Sequence, residues 1–170
     1  LPAFPNPLSR FVNINTAEFD AYKVSAIPVV ADARVTLESP AAALPAYHVS
    51  EEYEVEARGL KRQWDAEVDR LFHLNNPGRP AQSEVIGAMW EASGPRDVLV
   101  SAAGSHPGDL HKLWPTRTPN GYHMEYGYSC MGYEIPGAMG VKLAHPLREV
   151  SGFPGDGTYH IVPPENVTAA

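Results

Sequence analysis

Residues 121–157 read GYHMEYGYSCMGYEIPGAMGVKLAHPLREVSGFPGDG, a Gly- and aromatic-rich turn region, a small-residue helix and the acidic tripeptide Gly155-Asp156-Gly157. A carboxylate between two glycines can present an oxygen to a hard cation such as Mg2+ while bare backbone closes on a phosphate. Taken alone the tripeptide is also an ordinary surface turn. Upstream, an apolar strand at 97–101 runs straight into a small-residue turn containing Gly104, Ser105 and His106. A Gly-rich loop at the carboxyl end of a buried strand is where open α/β sheets place ligands. The same His106-Pro107-Gly108-Asp109 run would equally serve as a purely structural turn. His106, His111 and His123 match no zinc spacing. Cys130 has no base that the sequence can assign to it, so it reads as a small residue in a tight turn rather than a catalytic thiol. Glu125 and Glu134 are carboxylates that the sequence leaves between a substrate-side and a structural role.

The elements that must position these residues can be read around them. Pro136, Gly137, Ala138 and Gly140 fall in a helix over 133–144. Each glycine costs such a helix about 1 kcal/mol relative to alanine, which predicts close approach of a ligand or a second helix. A strand is expected over 148–154, weakened by Gly152 and Pro154, and the Val162-Pro163-Pro164-Glu165 run is comparably disruptive. The strongest helix spans 50–72, capped by Ser50, with Glu51 and Glu52 at the positive end of its dipole. Tyr53, Ala57, Leu60, Trp64, Val68 and Leu71 make its apolar stripe, and the helix reads as a connector between two domains. Ser83 is expected to cap a second helix with Val85, Ile86, Met89 and Trp90 on its buried side, stopped at Gly94-Pro95. At the front, strands are expected at 10–15 and 27–31, the second buried on both faces. Thr16 would cap a helical turn between them, and a helix from residue 33 should break at Pro40. Two short strands need a larger sheet to cover them.

At 170 residues the chain is long enough for one core or pieces of two. A net charge of −7 gives no basic footprint for nucleic acid or an anionic membrane. No apolar run approaches the ~18 residues of a spanning helix. The prolines of LPAFPNPLSR replace the apolar region that an export signal would need. A single cysteine excludes an intramolecular disulfide and suits a reducing, cytoplasmic setting. Seventeen prolines, in excess of ordinary usage, predict long ordered loops.

Three runs occur in one order at compatible spacings: AAGSHPGDLHKLW from Ala102, YHMEYGYSCMGYEIPGAMG from Tyr122, and GDGTY from Gly155. Together they resemble the trihydroxycyclohexane-1,2-dione hydrolases, thiamine-diphosphate enzymes of inositol catabolism. VNINTAEFDAYK from Val12 and PVVADAR from Pro28 resemble the end of that family's central domain. The resemblance covers essentially the whole chain. AEFDAYK, GDLHKLW and HMEYGYSCMGYE are the runs that separate it from the wider acetolactate-synthase-like group.

The resemblance implies an α/β fold. Residues 1–44 would be the end of a Rossmann-like central domain, 45–80 a linker with the long helix, and 81–170 the first part of the parallel-sheet domain that binds the diphosphate. It implies thiamine diphosphate and Mg2+ as cofactors, with Gly104, Ser105 and His106 near the diphosphate. Met131 would support the bent cofactor, with Cys130 and Gly132 beside it. Asp156 would be the Mg2+ ligand in a turn shaped by Gly155 and Gly157, and Thr158 would lie against the diphosphate. The implied reaction is hydrolytic C–C cleavage of a small polyol-derived cyclic dione to a deoxy-glucuronic acid, in a homo-oligomer whose sites lie between subunits. A carboligase or decarboxylase of the acetolactate-synthase type is the alternative, and a non-catalytic remnant the reading from another class. Three departures accompany it. The Asn pair that closes the family's metal motif would lie beyond residue 170. The domain with the cofactor-activating glutamate would precede Leu1, leaving no catalytic residue assignable here. Ser151-Gly152-Phe153-Pro154 stands where the family has an apolar strand.

Overall fold

The structure, a computed structural model, describes residue 6 and residues 8–169. Most of the N-terminal stretch considered above as an export signal therefore lies outside the described residues. The chain divides into two compact units, Leu1–Val55 and Glu56–Ala170.

In the first unit β1 (Val12–Asn15) pairs in parallel with β2 (Ile27–Val30), Val12 opposite Ile27 and Asn15 opposite Val30. The crossover between them is α1 (Glu18–Ala21) and a 3-10 turn (Lys23–Ser25). Thr16 does not cap α1. Ala17 takes that place, its N–H held by Asn15 Oδ1 at 2.9 Å, because the Asn side chain closes the turn one residue earlier. The following helix, α2 (Ala33–Ala43), runs through Pro40 rather than stopping there. Asp32 anchors its first turn, accepting the Val35 N–H on Oδ1 at 3.0 Å and the Thr36 hydroxyl on its carbonyl at 2.8 Å. Nor is β2 buried on both faces: Ile27 and Val30 are half exposed, since two strands offer no layer for each face.

The long helix α3 (Glu51–Phe72) begins as its sequence predicts, Ser50 Oγ accepting the Tyr53 N–H at 3.3 Å. Its apolar stripe is used only at the carboxyl end. Val68 and Phe72 are buried, while Tyr53, Leu60 and Trp64 stay substantially exposed. The next helix, α4 (Gln82–Ala92), starts one residue before the expected cap. Ala81 is the N-cap, Glu84 reaches back to the Ala81 N–H at 2.7 Å, and Ser83 is buried inside the first turn. With Glu84 three residues after Ala81, its carboxylate closes the box on the Ala81 N–H, which sets the start of the helix before Ser83. Ile86 and Gly87 form the buried face with Met89 and Trp90 partly covered, whereas Val85 points outward. Phe72 packs so closely on Gly87 that a Cβ there would sit 2.6 Å from its ring.

From α4 the chain enters β3 (Val98–Ser101), all four residues of which are buried. Parallel strands flank it on both sides: β4 (Tyr122–Met124), with Leu99 opposite Tyr122, and β5 (Val150–Gly152), with Val98 opposite Val150. The order is β4-β3-β5. The Ser151-Gly152 departure thus keeps the strand; Phe153 adds one more ladder bond to the Val100 carbonyl at 2.9 Å, and Pro154 falls beyond it. The crossovers are α5 (His106–Leu113) between β3 and β4, and α6 (Glu134–Ala144) between β4 and β5. Two short helices, α7 (Asp156–Ile161) and α8 (Pro163–Ala169), follow β5, and the two prolines 163 and 164 open α8, where their missing N–H groups cost nothing.

Successive strand residues face opposite ways, and both faces of β3 are covered. Leu99 joins Val68, Phe72, Ile86, Leu110 and Leu113 in the core on the side of α3, α4 and α5. Val98 and Val100 turn to the other face, and α6 lies over β3 and β5. Leu99 is the residue through which the sheet meets three helices. Leu99→Ala should lower stability by about 2–5 kcal/mol, read as a shifted urea midpoint with unchanged slope by tryptophan fluorescence.

Candidate functional site

Because β3, β4 and β5 are parallel, their carboxyl ends lie together, and the three loops that leave them, with the first turns of the helices that follow β3 and β5, carry the residues expected around the cofactor. The chain steps from β3 outward to β4, then back across β3 to β5. That reversal is where open α/β sheets form a ligand crevice.

The loop after β3 is Ala102 to Ser105. Ala102 and Ala103 are buried, and Gly104 turns with φ +133°, a region that favours glycine. The residues after it are not the free turn expected from the sequence. His106, Pro107, Gly108 and Asp109 are the first turn of α5, Pro107 sitting where a helix tolerates proline. Ser105 is exposed, its hydroxyl 3.4 Å from Gln82 Oε1. His106 is buried, its ring edge-to-face with Phe153 at 5.3 Å.

The loop after β4 is tied by Glu125, whose carboxylate accepts the N–H of Tyr128 at 2.9 Å and of Cys130 at 2.6 Å. This gives Glu125 the structural role among its two readings. The two amides hold its pKa below the usual carboxylate value. Ser129 and Gly132 both have positive φ, so the loop doubles back twice within four residues. Cys130 is exposed and free, Met131 is half exposed, and buried Gly132 lies against the Ile161 and Val162 side chains at the carboxyl end of α7. Of the two helix glycines expected to admit a neighbour, Gly137 takes the Tyr133 ring, with a Cβ placed 2.6 Å from it, and Gly140 faces open space. The close contact comes from the helix's own preceding residue.

After β5, Gly155 is the N-cap of α7, and Asp156, Gly157 and Thr158 form its first turn rather than a free acidic turn. Asp156 and Gly157 are exposed and Thr158 is buried. Asp156 Oδ1 accepts the Gly157 N–H at 2.8 Å. A Cβ on Gly155 would lie 3.7 Å from the His106 ring, so the loops after β3 and β5 meet through that histidine.

The strongest signal at this end of the sheet is one that the sequence left open. Glu134, the first residue of α6, is fully buried with neither carboxylate oxygen hydrogen-bonded, and His106 Nε2, also unpartnered, stands 3.8 Å from its Oε1. Burial pushes the Glu134 pKa up, opposed by nearby backbone amides of Glu134, Gly132 and Ala102. It pushes the His106 pKa down, opposed by the Phe153 backbone. Ser101 Oγ, at the end of β3, is buried without a partner as well. A lone carboxylate opening an otherwise apolar helix was the available cue.

His111 and His123 do not join His106. His111 packs on Tyr122 and Tyr126, and His123 stacks on Tyr133 with a 2.6 Å hydrogen bond to its hydroxyl. Among the described residues no three His, Cys, Asp or Glu side chains gather as a metal cage. Two of the roomier concavities lie elsewhere. One of about 610 Å3 is bounded by Ile135, Met139 and Leu143 of α6 and by Tyr159, and one of about 500 Å3 is where Trp64, Trp90 and Trp114 meet. Both are mainly apolar and hold none of the converging polar groups, so volume points away from the chemistry here.

Residues 102–170 match the family described as "Thiamine pyrophosphate enzyme, C-terminal TPP binding domain". Over 98% of its length the chain is 40% identical to a protein of Bacillus cereus named 3D-(3,5/4)-trihydroxycyclohexane-1,2-dione hydrolase 2. It is equally 40% identical to the Bacillus licheniformis 3D-(3,5/4)-trihydroxycyclohexane-1,2-dione hydrolase, and 38% to that of Bacillus thuringiensis (strain Al Hakam), again over 98% of the chain. The chain spans 30% of the length of each of these relatives.

Glu125 supplies a pH dependence whose sign follows from its lowered pKa. The loop-holding carboxylate is fully present above the unfolded carboxylate range and is lost as pH falls through the lower folded value. An NMR titration of the Tyr128 and Cys130 amides should show a midpoint below 4.5. Glu125→Gln should abolish it, and a midpoint at or above that value would contradict the assignment.

Proposed function

We propose that the chain belongs to the thiamine pyrophosphate enzymes and forms the diphosphate-binding wall of a hydrolase that opens a cyclic 1,2-dione. The observation that supports this reading is the convergence of the loops after β3, β4 and β5 at one end of a parallel sheet. Each loop carries a segment of one of the AAGSHPGDLHKLW, HMEYGYSCMGYE and GDG runs. The named relatives supply the substrate class, trihydroxycyclohexane-1,2-dione. In this reading the product is 5-deoxy-glucuronate, the setting myo-inositol catabolism in the cytoplasm, and the whole protein a homo-oligomer. Residues 1–44 are the end of a central domain, 45–80 a linker and 81–170 the cofactor domain. An acetolactate-synthase-like carboligase shares the wall but not the HMEYGYSCMGYE run.

The residues present fit the cofactor. Gly104, exposed with φ +133°, and Gly157, beside which a Cβ would meet nothing, leave backbone bare in the loop after β3 and in the first turn of α7. Mg2+ asks for few protein carboxylates and keeps water and phosphate oxygens as its other ligands, so Asp156 suffices as this chain's contribution. Gly104, Ser105 and His106 would face the diphosphate with Gly155, Gly157 and Thr158, while Met131, flanked by Cys130 and Gly132, would support the cofactor from the β4 side. When bound, thiamine diphosphate would supply the carbanion-stabilising chemistry that C–C cleavage beside a carbonyl needs. The chain's own part is to hold, orient and exclude: Asp156 places the cation, the buried strand end fixes the loops, and Met131 offers an exposed apolar surface.

The test is NMR shift mapping of the labelled chain titrated with thiamine diphosphate and MgCl2. Weak, Mg2+-dependent perturbations should fall at 104–106, 130–132 and 155–158, and Asp156→Ala should remove the Mg2+ dependence. Perturbations centred on the tryptophan groove, or none at all, would count against the reading. Assaying dione opening against pyruvate condensation in the protein that carries this chain separates the hydrolase from the carboligase.

A further inference from the structure

Four buried side-chain atoms among the described residues lack a hydrogen-bond partner: Ser101 Oγ, His106 Nε2 and both oxygens of Glu134. All sit where β3 ends. Ser101 is its last residue, His106 opens α5, and the Glu134 carbonyl lies 3.3 Å from where a Cβ on Gly152 would be. Folded proteins leave few such atoms unpaired. Here two of the groups face each other, His106 Nε2 and Glu134 Oε1, 3.8 Å apart with both side chains more than nine-tenths buried.

The rest of the His106 ring lies between Gly104, Gly155 and Phe153. Its Cε1–Nδ1 edge would stand 2.9 and 3.0 Å from a Cβ on Gly104, and 3.7 and 3.9 Å from one on Gly155. Phe153 meets the ring edge-to-face. The imidazole is therefore the spacer between the loop after β3 and the loop after β5, and its free nitrogen is turned to the residue that opens α6 beyond the loop after β4. A charged pair at this depth would forfeit the hydration of both ions. Burial favours the neutral form of each group. A neutral carboxylic acid has one donor and a neutral imidazole one acceptor, so the two groups are complementary in kind, and the 3.8 Å between them has only to close by about 1 Å to reach hydrogen-bond distance.

We propose that Glu134, as a carboxylic acid, donates a hydrogen bond to His106 Nε2, and that this buried pair locks the imidazole as the spacer that registers the three loops. Glu134 is a positioning residue: it acts through His106 and touches no ligand. The inference rests on the proposed function only for what the loops hold, since the pair itself is a property of the free chain.

The test is long-range 1H–15N NMR of the histidine rings in the labelled chain at neutral pH, without cofactor. His106 should carry its proton on Nδ1, with Nε2 shifted as a hydrogen-bond acceptor. Glu134→Gln, whose amide can donate in the same place, should keep that signature. Glu134→Leu should lose it, and amide exchange at Gly104 and Gly155 should quicken about tenfold, the worth of one buried hydrogen bond. A proton on Nε2 in the wild-type chain overturns the proposal, as does a Leu variant with His106 and both loops unchanged. If the Leu variant fails to fold, the wild-type tautomer and the Gln variant still decide. Thiamine diphosphate with Mg2+, added afterwards, addresses the other question: loops that stay unperturbed refute the cofactor reading, while the ring tautomer decides the pair independently.

Discussion

The burial of β3 on both faces, with a parallel strand on each side, is the constraint from which the rest of the second unit follows. Val98, Leu99, Val100 and Ser101 have no solvent-facing side, so helices must cover both faces of the sheet. Parallel neighbours require crossovers, which α5 and α6 provide. Those crossovers leave from one end, and the loops that begin them inherit a common location. The gathering of Gly104, Met131 and Asp156 at that end is thus a consequence of strand direction, not of any attraction between the three.

What the sheet brings together it must also satisfy. Backbone groups at the strand ends are accounted for: the Glu125 N–H goes to the Ser101 carbonyl at 3.2 Å and the Phe153 N–H to that of Val100. Side chains are another matter, since Ser101, His106 and Glu134 are buried there with unpartnered atoms. An apolar residue at position 134 would avoid the desolvation that Glu134 incurs, typically about 1–3 kcal/mol for an unpaired buried polar group. Polar groups kept at such a cost mark places where geometry matters more than stability, and the only such cluster among the described residues lies under the three loops.

Much of this architecture was legible in the sequence, and the reasons differ by element. Residues 97–101 announce a buried strand because their apolar run cannot face water on either side without loss, and Gly and Pro punctuate what surrounds them. The loops were legible through glycine, whose use at Gly104 and Gly132 follows from positive φ. Caps were less so: Ser83 and Thr16 are good caps by type, yet Glu84 and Asn15, by holding the Ala81 and Ala17 N–H groups, set the two helix starts at other positions. Periodicity showed that α3 has an apolar stripe but not how much of it is covered, because coverage depends on what packs against it. Pro40 marked a break that the Asp32-anchored helix absorbs. The His106–Glu134 contact was beyond reach, since 28 positions separate the two and only the β4-β3-β5 order sets them side by side.

The cofactor reading stands on one carboxylate, Asp156, placed at the start of α7 and next to the loop that touches His106. Anomalous scattering from crystals of the chain grown with thiamine diphosphate and Mn2+ in place of Mg2+ locates the cation without reference to sequence. The account predicts a single strong peak beside the Asp156 carboxylate, with diphosphate density between it and the Gly104 loop. A peak elsewhere, or density for the cofactor away from the carboxyl end of β3, would contradict it.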